Sequence, residues 1–236
     1  IYCMRNASPL VASHTEDGSF IASDMVALLK YTKDYFVVPE EHIVVMKGDS
    51  ITLYTMDGEV EEPKMLHVDW DTTAAQKGGY DFFMQKEIYD QPEALHNTIM
   101  PRIHNNRADF TADNISDDIF KGVNRVIVTA CGTAWHAGLI GRHLIEAMIR
   151  IPVTVELASE FRYMNPILDE HTLVVVITQA GETADSLAEL RLANERGAKT
   201  ISIVNVKGSS IARESDYVLY THAGPEIAVA STKAYT

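Results

Sequence analysis

Val126-Ile127-Val128-Thr129-Ala130-Cys131-Gly132-Thr133-Ala134 is the stretch that decides the fold. Its first five residues form a continuous apolar run without polar alternation, the pattern of a strand covered on both faces. A glycine and a hydroxyl follow at once, and then a helical pattern runs to about Arg150, with Ala137, Ile140, Leu144 and Met148 on one face and Pro152 just past its end. The same alternation repeats downstream. A strand at 153–156 precedes a short helix containing Phe161. A strand at 173–177 precedes a helix that ends before Gly197, with Leu187, Leu190 and Ala193 facing one way and Asp185, Glu189 and Arg196 the other. A strand at 200–204, a short helix near Ile211 and a strand at 217–220 complete the series. Strands alternating with helices in this way predict an α/β domain with a doubly wound parallel sheet.

Upstream the texture changes. To about Val68, short apolar runs are separated by turn residues, as in antiparallel hairpins. Ile43-Val44-Val45-Met46, Lys47-Gly48-Asp49-Ser50 and a second run to Thr55 read as one hairpin. Asp57-Gly58 reads as a type I′ turn. A helix near 23–32, capped by Ser23, interrupts this part. The stretch from Trp70 to Tyr80 reads as a linker. A helical stretch from Phe82 to Met100 follows, divided by Pro92 and closed by Pro101.

Composition narrows the function. The 236 residues carry 20 Lys+Arg against 33 Asp+Glu, a net charge of −13, which argues against a nucleic-acid surface. No apolar run approaches the roughly 18–20 residues of a membrane span, and no signal peptide is visible. Two cysteines, Cys3 and Cys131, cannot build a disulfide framework or a four-cysteine zinc site, so a reducing cytoplasm is expected. The opening Ile1-Tyr2-Cys3 reads as a strand without an initiator methionine, as in a piece of a longer chain.

In an open parallel sheet, ligands bind beyond the carboxyl ends of the strands. Two loops there combine glycine, hydroxyls and small residues directly before a helix: Cys131-Gly132-Thr133-Ala134 and Thr178-Gln179-Ala180-Gly181-Glu182-Thr183. Free N–H groups, the positive helix end and threonine hydroxyls suit a phosphate. Either loop alone reads equally well as a threonine N-cap with a turn glycine. Two on one sheet edge favour a single phosphate. Neither matches a dinucleotide or nucleoside-triphosphate motif, and no cofactor is expected. Cys131 and His136 are not placed together by their spacing, and Cys131 reads as a small buried thiol. His104, His136 and His143 make no metal spacing, so no metal site is expected. Cys3 sits in a strand, and Ser231-Thr232-Lys233 reads as a cap and a solvated lysine.

Beyond composition, the text resembles a family over nearly its whole length and in order. The matching segments are Phe20-Ile21-Ala22-Ser23-Asp24 with Ala27-Leu28-Leu29, Met84-Gln85-Lys86-Glu87-Ile88-Tyr89-Asp90-Gln91-Pro92, Ala130-Cys131-Gly132-Thr133, Ala158-Ser159-Glu160-Phe161-Arg162-Tyr163, Gly181-Glu182-Thr183-Ala184-Asp185 and Val229-Ala230-Ser231-Thr232-Lys233-Ala234. The chain resembles the glutamine–fructose-6-phosphate amidotransferases. The Met84–Pro92 segment is the most specific, because generic sugar-phosphate modules lack it.

That resemblance implies three parts. Residues 1–75 would be the antiparallel C-terminal part of an N-terminal-nucleophile glutaminase domain, 76–112 a linker with the opening helices of the synthase part, and 113–236 the first of two sugar-isomerase (SIS) subdomains. It implies a sugar-phosphate site at Thr133, the backbone of Ala134, Thr178, Gln179, the backbone of Ala180, Thr183, Val229 and Ser231. The ligand would be fructose 6-phosphate or glucosamine 6-phosphate. The chain departs from the family at three of these positions: Ala134 and Ala180 replace serines, and Thr178 replaces a serine with its hydroxyl kept. The resemblance places the glutaminase cysteine upstream and the ring-opening histidine, proton-shuttling glutamate and Schiff-base lysine downstream, so no catalytic residue is expected here and glutamine would be met only through residues outside the chain. It also implies a homodimer. Two other readings stay open for the SIS part: a sensing or oligomerising module without chemistry, and a deglycase or deaminase of the same fold. The glutaminase-like first third argues against both.

Overall fold

The computed structural model describes residues 1–5, 9–69 and 76–236, and the chain divides into two compact units, 1–78 and 79–236. The expected linker at 70–80 falls partly on residues 70–75, which lie outside the described residues.

The first unit is built from hairpins. Its strands are β1 (Tyr2–Met4), β2 (Val11–Thr15), β3 (Gly18–Ala22), β4 (Asp34–Val37), β5 (His42–Lys47), β6 (Ser50–Thr55), β7 (Val60–Glu61) and β8 (Met65–His67). They form two antiparallel sheets of four strands, ordered β1-β5-β6-β7 and β3-β2-β4-β8. Ala12, Phe36, Val38, Val44 and Leu53 pack in one cluster, and Val11, Met25, Leu28, Leu29 and Tyr35 in another. The expected helix at 23–32 is only a 3-10 turn, Met25–Ala27, and its cap is Asp24, whose carboxylate accepts from Val26 N–H at 2.7 Å. Leu28 and Leu29 fill the core from the turn that follows, so their burial does not require a regular helix. Of Asp57-Gly58, only Gly58 has positive φ, and the connection spans four residues rather than a two-residue type I′ turn.

The second unit opens with α1 (Phe83–Tyr89) and α2 (Gln91–Ile99), which break at Asp90 with Pro92 in the first turn of α2. A short hairpin, β9 (Ile103–His104) and β10 (Arg107–Ala108), follows. The series expected from the apolar runs then appears in full: β11 (Arg125–Ala130), α3 (Gly132–Ile149), β12 (Val153–Leu157), α4 (Ala158–Phe161), β13 (Thr172–Thr178), α5 (Ala184–Glu195), β14 (Lys199–Val204), α6 (Ser210–Glu214) and β15 (Tyr217–Tyr220). All five strands from β11 on are parallel, in the order β12-β11-β13-β14-β15. Alternate residues of β11 serve opposite layers: Val126, Val128 and Ala130 join Ala134 of α3, while Ile127 joins Phe161 of α4 and Leu187, Leu190 and Ala193 of α5. The sheet is therefore wound on both faces, as expected.

Two helical faces differ from the sequence reading. Helix α3 buries the small residues Ala134 and Gly138 against the sheet, with Trp135 and Ile145 packed beside them, and leaves Ile140, Leu144 and Met148 exposed. Small side chains let the helix axis approach the strands, so the bulkier stripe is not the packing face. On α5, Glu189 does not face solvent with Asp185; it is fully buried.

Candidate functional site

The strand order reverses between β11 and β13: the chain steps outward from β11 to β12, then returns to the other side of β11. At such a switch point the two following loops diverge and leave a crevice beyond the carboxyl ends of the strands. Those two loops are the ones singled out from sequence. A cavity of about 470 Å³ lies there, and its lining includes Thr133, Ala134, Thr178, Gln179, Ala180, Thr183, Val229 and Ser231, together with Ser186 and Tyr235. All eight expected positions are thus brought to one cavity. A larger cavity of about 650 Å³, beside the β9–β10 hairpin and edge strand β15, contains none of them and is walled mainly by apolar groups such as Ile99, Phe110 and Leu219.

The alternative of simple helix caps can be tested directly. Cys131 and Thr183 occupy the N-cap positions of α3 and α5, and neither makes a side-chain cap hydrogen bond. Thr133 lies inside the first turn of α3. Among the described residues, the hydroxyls of Thr133 and Thr183 have no hydrogen-bond partner, and both residues are exposed to the cavity mouth. The first N–H groups of each helix also lack intrahelical partners by geometry. Two uncommitted hydroxyls and two positive helix ends therefore converge on one space, an arrangement suited to a phosphate-sized anion.

Thr178 is placed differently. It is buried, and its Oγ1 accepts from Gly181 N–H at 3.2 Å, closing the loop while keeping its own proton to donate. The Gln179 carbonyl accepts from Asn205 and Val206 N–H, and Glu182 Oε1 accepts from Ser210 N–H at 2.6 Å. The far wall is the segment 229–231. Val229 is fully exposed, and Ser231 donates its hydroxyl to Glu226.

Cys131 lines the cavity, and burial pushes its thiol up, helped by the nearby Asp185 and Glu189 carboxyls. His136 is engaged through Nδ1 with the Gly132 carbonyl at 3.0 Å. The acid chemistry that sequence reasoning missed is at Glu189. Burial, with the Asp185 charge adding to it, pushes its carboxyl up to about 9, and neither oxygen has a partner among the described residues. Ser186 was also missed, although its place one turn after Thr183 on α5 is a readable signal. Among the described residues, no three His, Cys, Asp or Glu side chains converge as metal ligands.

The SIS domain family matches residues 119–236, half of the chain. The chain belongs to the SIS-domain family. The match covers the parallel sheet from just before β11 to the end, including both loops and the far wall of the cavity. Over its full length the chain is 47% identical to a glutamine–fructose-6-phosphate aminotransferase (isomerizing) of Clostridium acetobutylicum, and over 98% of its length 48% identical to the protein of that name from Streptomyces coelicolor. The family resemblance read from the sequence is borne out by these relatives. Among solved structures, the C-terminal domain of the glucosamine-fructose-6-phosphate aminotransferase from Francisella tularensis superposes with a TM-score of 0.64 at 40% identity, covering 68% of this chain and 45% of that one. The SIS domain here thus comes in a chain that spans 39% of the length of its Clostridium acetobutylicum relative.

Proposed function

We propose that the chain is the part of a glutamine–fructose-6-phosphate aminotransferase that holds the sugar phosphate. One observation carries the reading: the two loops of the switch point present unpartnered threonine hydroxyls and helix N-termini to one cavity. Thr133, Thr178 and Thr183, with the Ala134 and Ala180 backbone, would take the phosphate of fructose 6-phosphate or glucosamine 6-phosphate. Gln179, Val229 and Ser231 would lie along the sugar. Anchoring the phosphate supplies binding energy that orients the carbonyl for amination.

In the whole enzyme, glutamine would be hydrolysed elsewhere, and its ammonia would aminate fructose 6-phosphate before isomerisation to glucosamine 6-phosphate. The two antiparallel sheets of the first unit support its assignment, over residues 1–75, to the end of a glutaminase domain, followed by a linker and opening helices at 76–112 and the first SIS subdomain at 113–236. The catalytic groups for amination and isomerisation are assigned outside these residues. A homodimer working in the cytoplasm completes the proposal; no helix among the described residues is long and apolar enough to cross a membrane.

Calorimetric titration of the chain with fructose 6-phosphate and with fructose tests the site. Saturable binding of the phosphorylated sugar alone is the expected result. Equal heats for both sugars, or none for either, would remove the phosphate site.

A further inference from the structure

The far wall of the cavity has no regular secondary structure between β15 and the last turn, so hydrogen bonds from side chains must hold its backbone in place. These holds come from three directions. Asn205, at the end of β14, accepts from Ala223 N–H and donates to the Gly224 carbonyl at 2.7 Å, fixing the start of the segment. Glu87 of α1 is buried, and its Oε1 accepts from Ile227 N–H at 2.6 Å and Ala228 N–H at 3.0 Å, across 140 residues of sequence. Asp90, at the end of α1, takes the buried Lys233 ammonium at 3.1 Å and that of Lys86 at 2.6 Å. Burial opposes the Asp90 charge, yet these two lysines hold its carboxyl below the usual range.

Between the last two holds, Val229 and Ala230 stand exposed on the cavity side. Within the arch, Glu226 accepts from Thr232 N–H at 2.7 Å and from Ser231 Oγ, which aims the serine. A buried carboxylate is costly unless its hydrogen bonds repay desolvation, and Glu87 leaves its second oxygen without a partner among the described residues. An apolar residue would pack there more cheaply, so the acid is explained by what it grips.

We infer that Glu87 and Asp90 are positioning residues for sugar recognition: they pin the segment 227–233 on both sides of Val229–Ser231 and so set the wall that faces the sugar, while the phosphate is held by the two loops alone. This deepens the sugar-phosphate reading and rests on it.

The test compares two ligands in the 236-residue chain, fructose 6-phosphate and inorganic phosphate, with hydrogen exchange of the 224–236 segment as the second readout. Glu87→Ala should speed exchange of the Ile227 and Ala228 amides and weaken fructose 6-phosphate on the order of tenfold, with inorganic phosphate unchanged. Glu87→Gln, which keeps one acceptor oxygen, should fall between. Lys233→Met tests the other pin and serves if Glu87→Ala does not fold. Faster exchange with unchanged sugar affinity would overturn the positioning role and leave the site standing. Equal weakening of both ligands would also overturn it, since the wall would then not act on the sugar alone. A wild-type chain that binds neither ligand would remove the site itself, and the inference with it, before any variant is read.

Discussion

The two loops that meet at the switch point resemble each other in sequence and differ in how they are held. The loop after β13 is braced from all sides: Thr178 bonds Gly181, the Gln179 carbonyl takes two N–H groups, and Glu182 bonds Ser210. A Cβ on Gly181 would lie 2.0 Å from Ser209 Oγ and 2.8 Å from Val204 Cγ2. The loop after β11 is open. Gly132 also has positive φ, yet a Cβ there would meet nothing within 4 Å. One half of the cradle is packed tightly around its glycine, and the other leaves open space at its glycine. Similar composition therefore does not mean similar rigidity; the neighbours decide.

The largest expected effect comes from the helix that the braced loop starts. Glu189, one of the buried residues of α5, is neutral in the folded protein up to about pH 9, whereas in the unfolded chain it ionises near 4.5. Between these values the folded state binds one more proton than the unfolded state, so stability falls as pH rises. Each pH unit removes up to about 1.4 kcal/mol, and the loss at pH 8 approaches an upper limit of about 5 kcal/mol. Glu189→Gln, which cannot ionise, should flatten the pH dependence between 5 and 9 and raise stability at pH 8. Urea melts at pH 5 and pH 8 check it. Parallel curves for wild type and variant would mean that Glu189 is charged or solvated in the fold.

Next in size is the direct contrast between the two glycines. Gly181→Ala adds a clash to an unfavourable φ and should cost about 3 kcal/mol or more. Gly132→Ala meets only the φ penalty, about 1–2 kcal/mol. Thermal melts of the two variants measure the difference. Equal losses would show that the loop after β13 yields as easily as the other.

Much of this contrast lay outside what the residues could disclose. The central strands β11 and β13 were legible because strands buried on both faces read as unbroken apolar runs between turn residues, as at Val126–Ala130 and Leu173–Ile177. The two loops were legible because the segments after those strands must emerge at one sheet edge, whereas Val229 and Ser231 were expected only from the family resemblance. The packing face of α3 was not legible, since the residues it buries are the small Ala134 and Gly138, with Trp135 and Ile145 beside them, while periodicity gives weight to Ile140 and Leu144. Nor was Glu189: a helical pattern assigns a charged residue to solvent, and only tertiary packing overrides it. The grip of Glu87 on Ile227 and Ala228 spans 140 residues and leaves no local signature.

Ligand binding sharpens the comparison at a smaller scale. The Thr133 and Thr183 hydroxyls do not cap their helices, so removing either should change folding stability by no more than the roughly ±0.5 kcal/mol of an ordinary surface change. Loss of a donor to a charged phosphate should cost about 1.5–3 kcal/mol, roughly a tenfold to hundredfold rise in Kd for fructose 6-phosphate. Thr133→Ala, on the open loop, should fall toward the lower end, because neighbouring N–H groups there can shift to compensate. Thr183→Ala, on the braced loop, should fall toward the upper end. Titration of both variants decides, and the reverse ranking would break the link between rigidity and donor strength.

The smallest effect is expected where the braced loop departs from the family. Ala180 lines the cavity, is only partly buried, and sits between Gln179 and Gly181, whose positions are fixed by hydrogen bonds. A serine there would need no backbone change, because the loop is already held on both sides. Its hydroxyl would enter the cavity near Thr178 and Thr183 and add a donor at little cost in order. The hydroxyl would take the place of water that would otherwise hydrate the phosphate, so the net gain would be that of a typical exchanged hydrogen bond, about 0.5–1.5 kcal/mol. Ala180→Ser should therefore tighten fructose 6-phosphate by about two- to tenfold. Ala134→Ser, at a buried position on the open loop, should gain less, because its neighbours must first make room. Competition between the two sugar phosphates on both variants reads out the ranking. A larger gain at Ala134 would mean that the open loop, not the braced one, limits how tightly the phosphate is held.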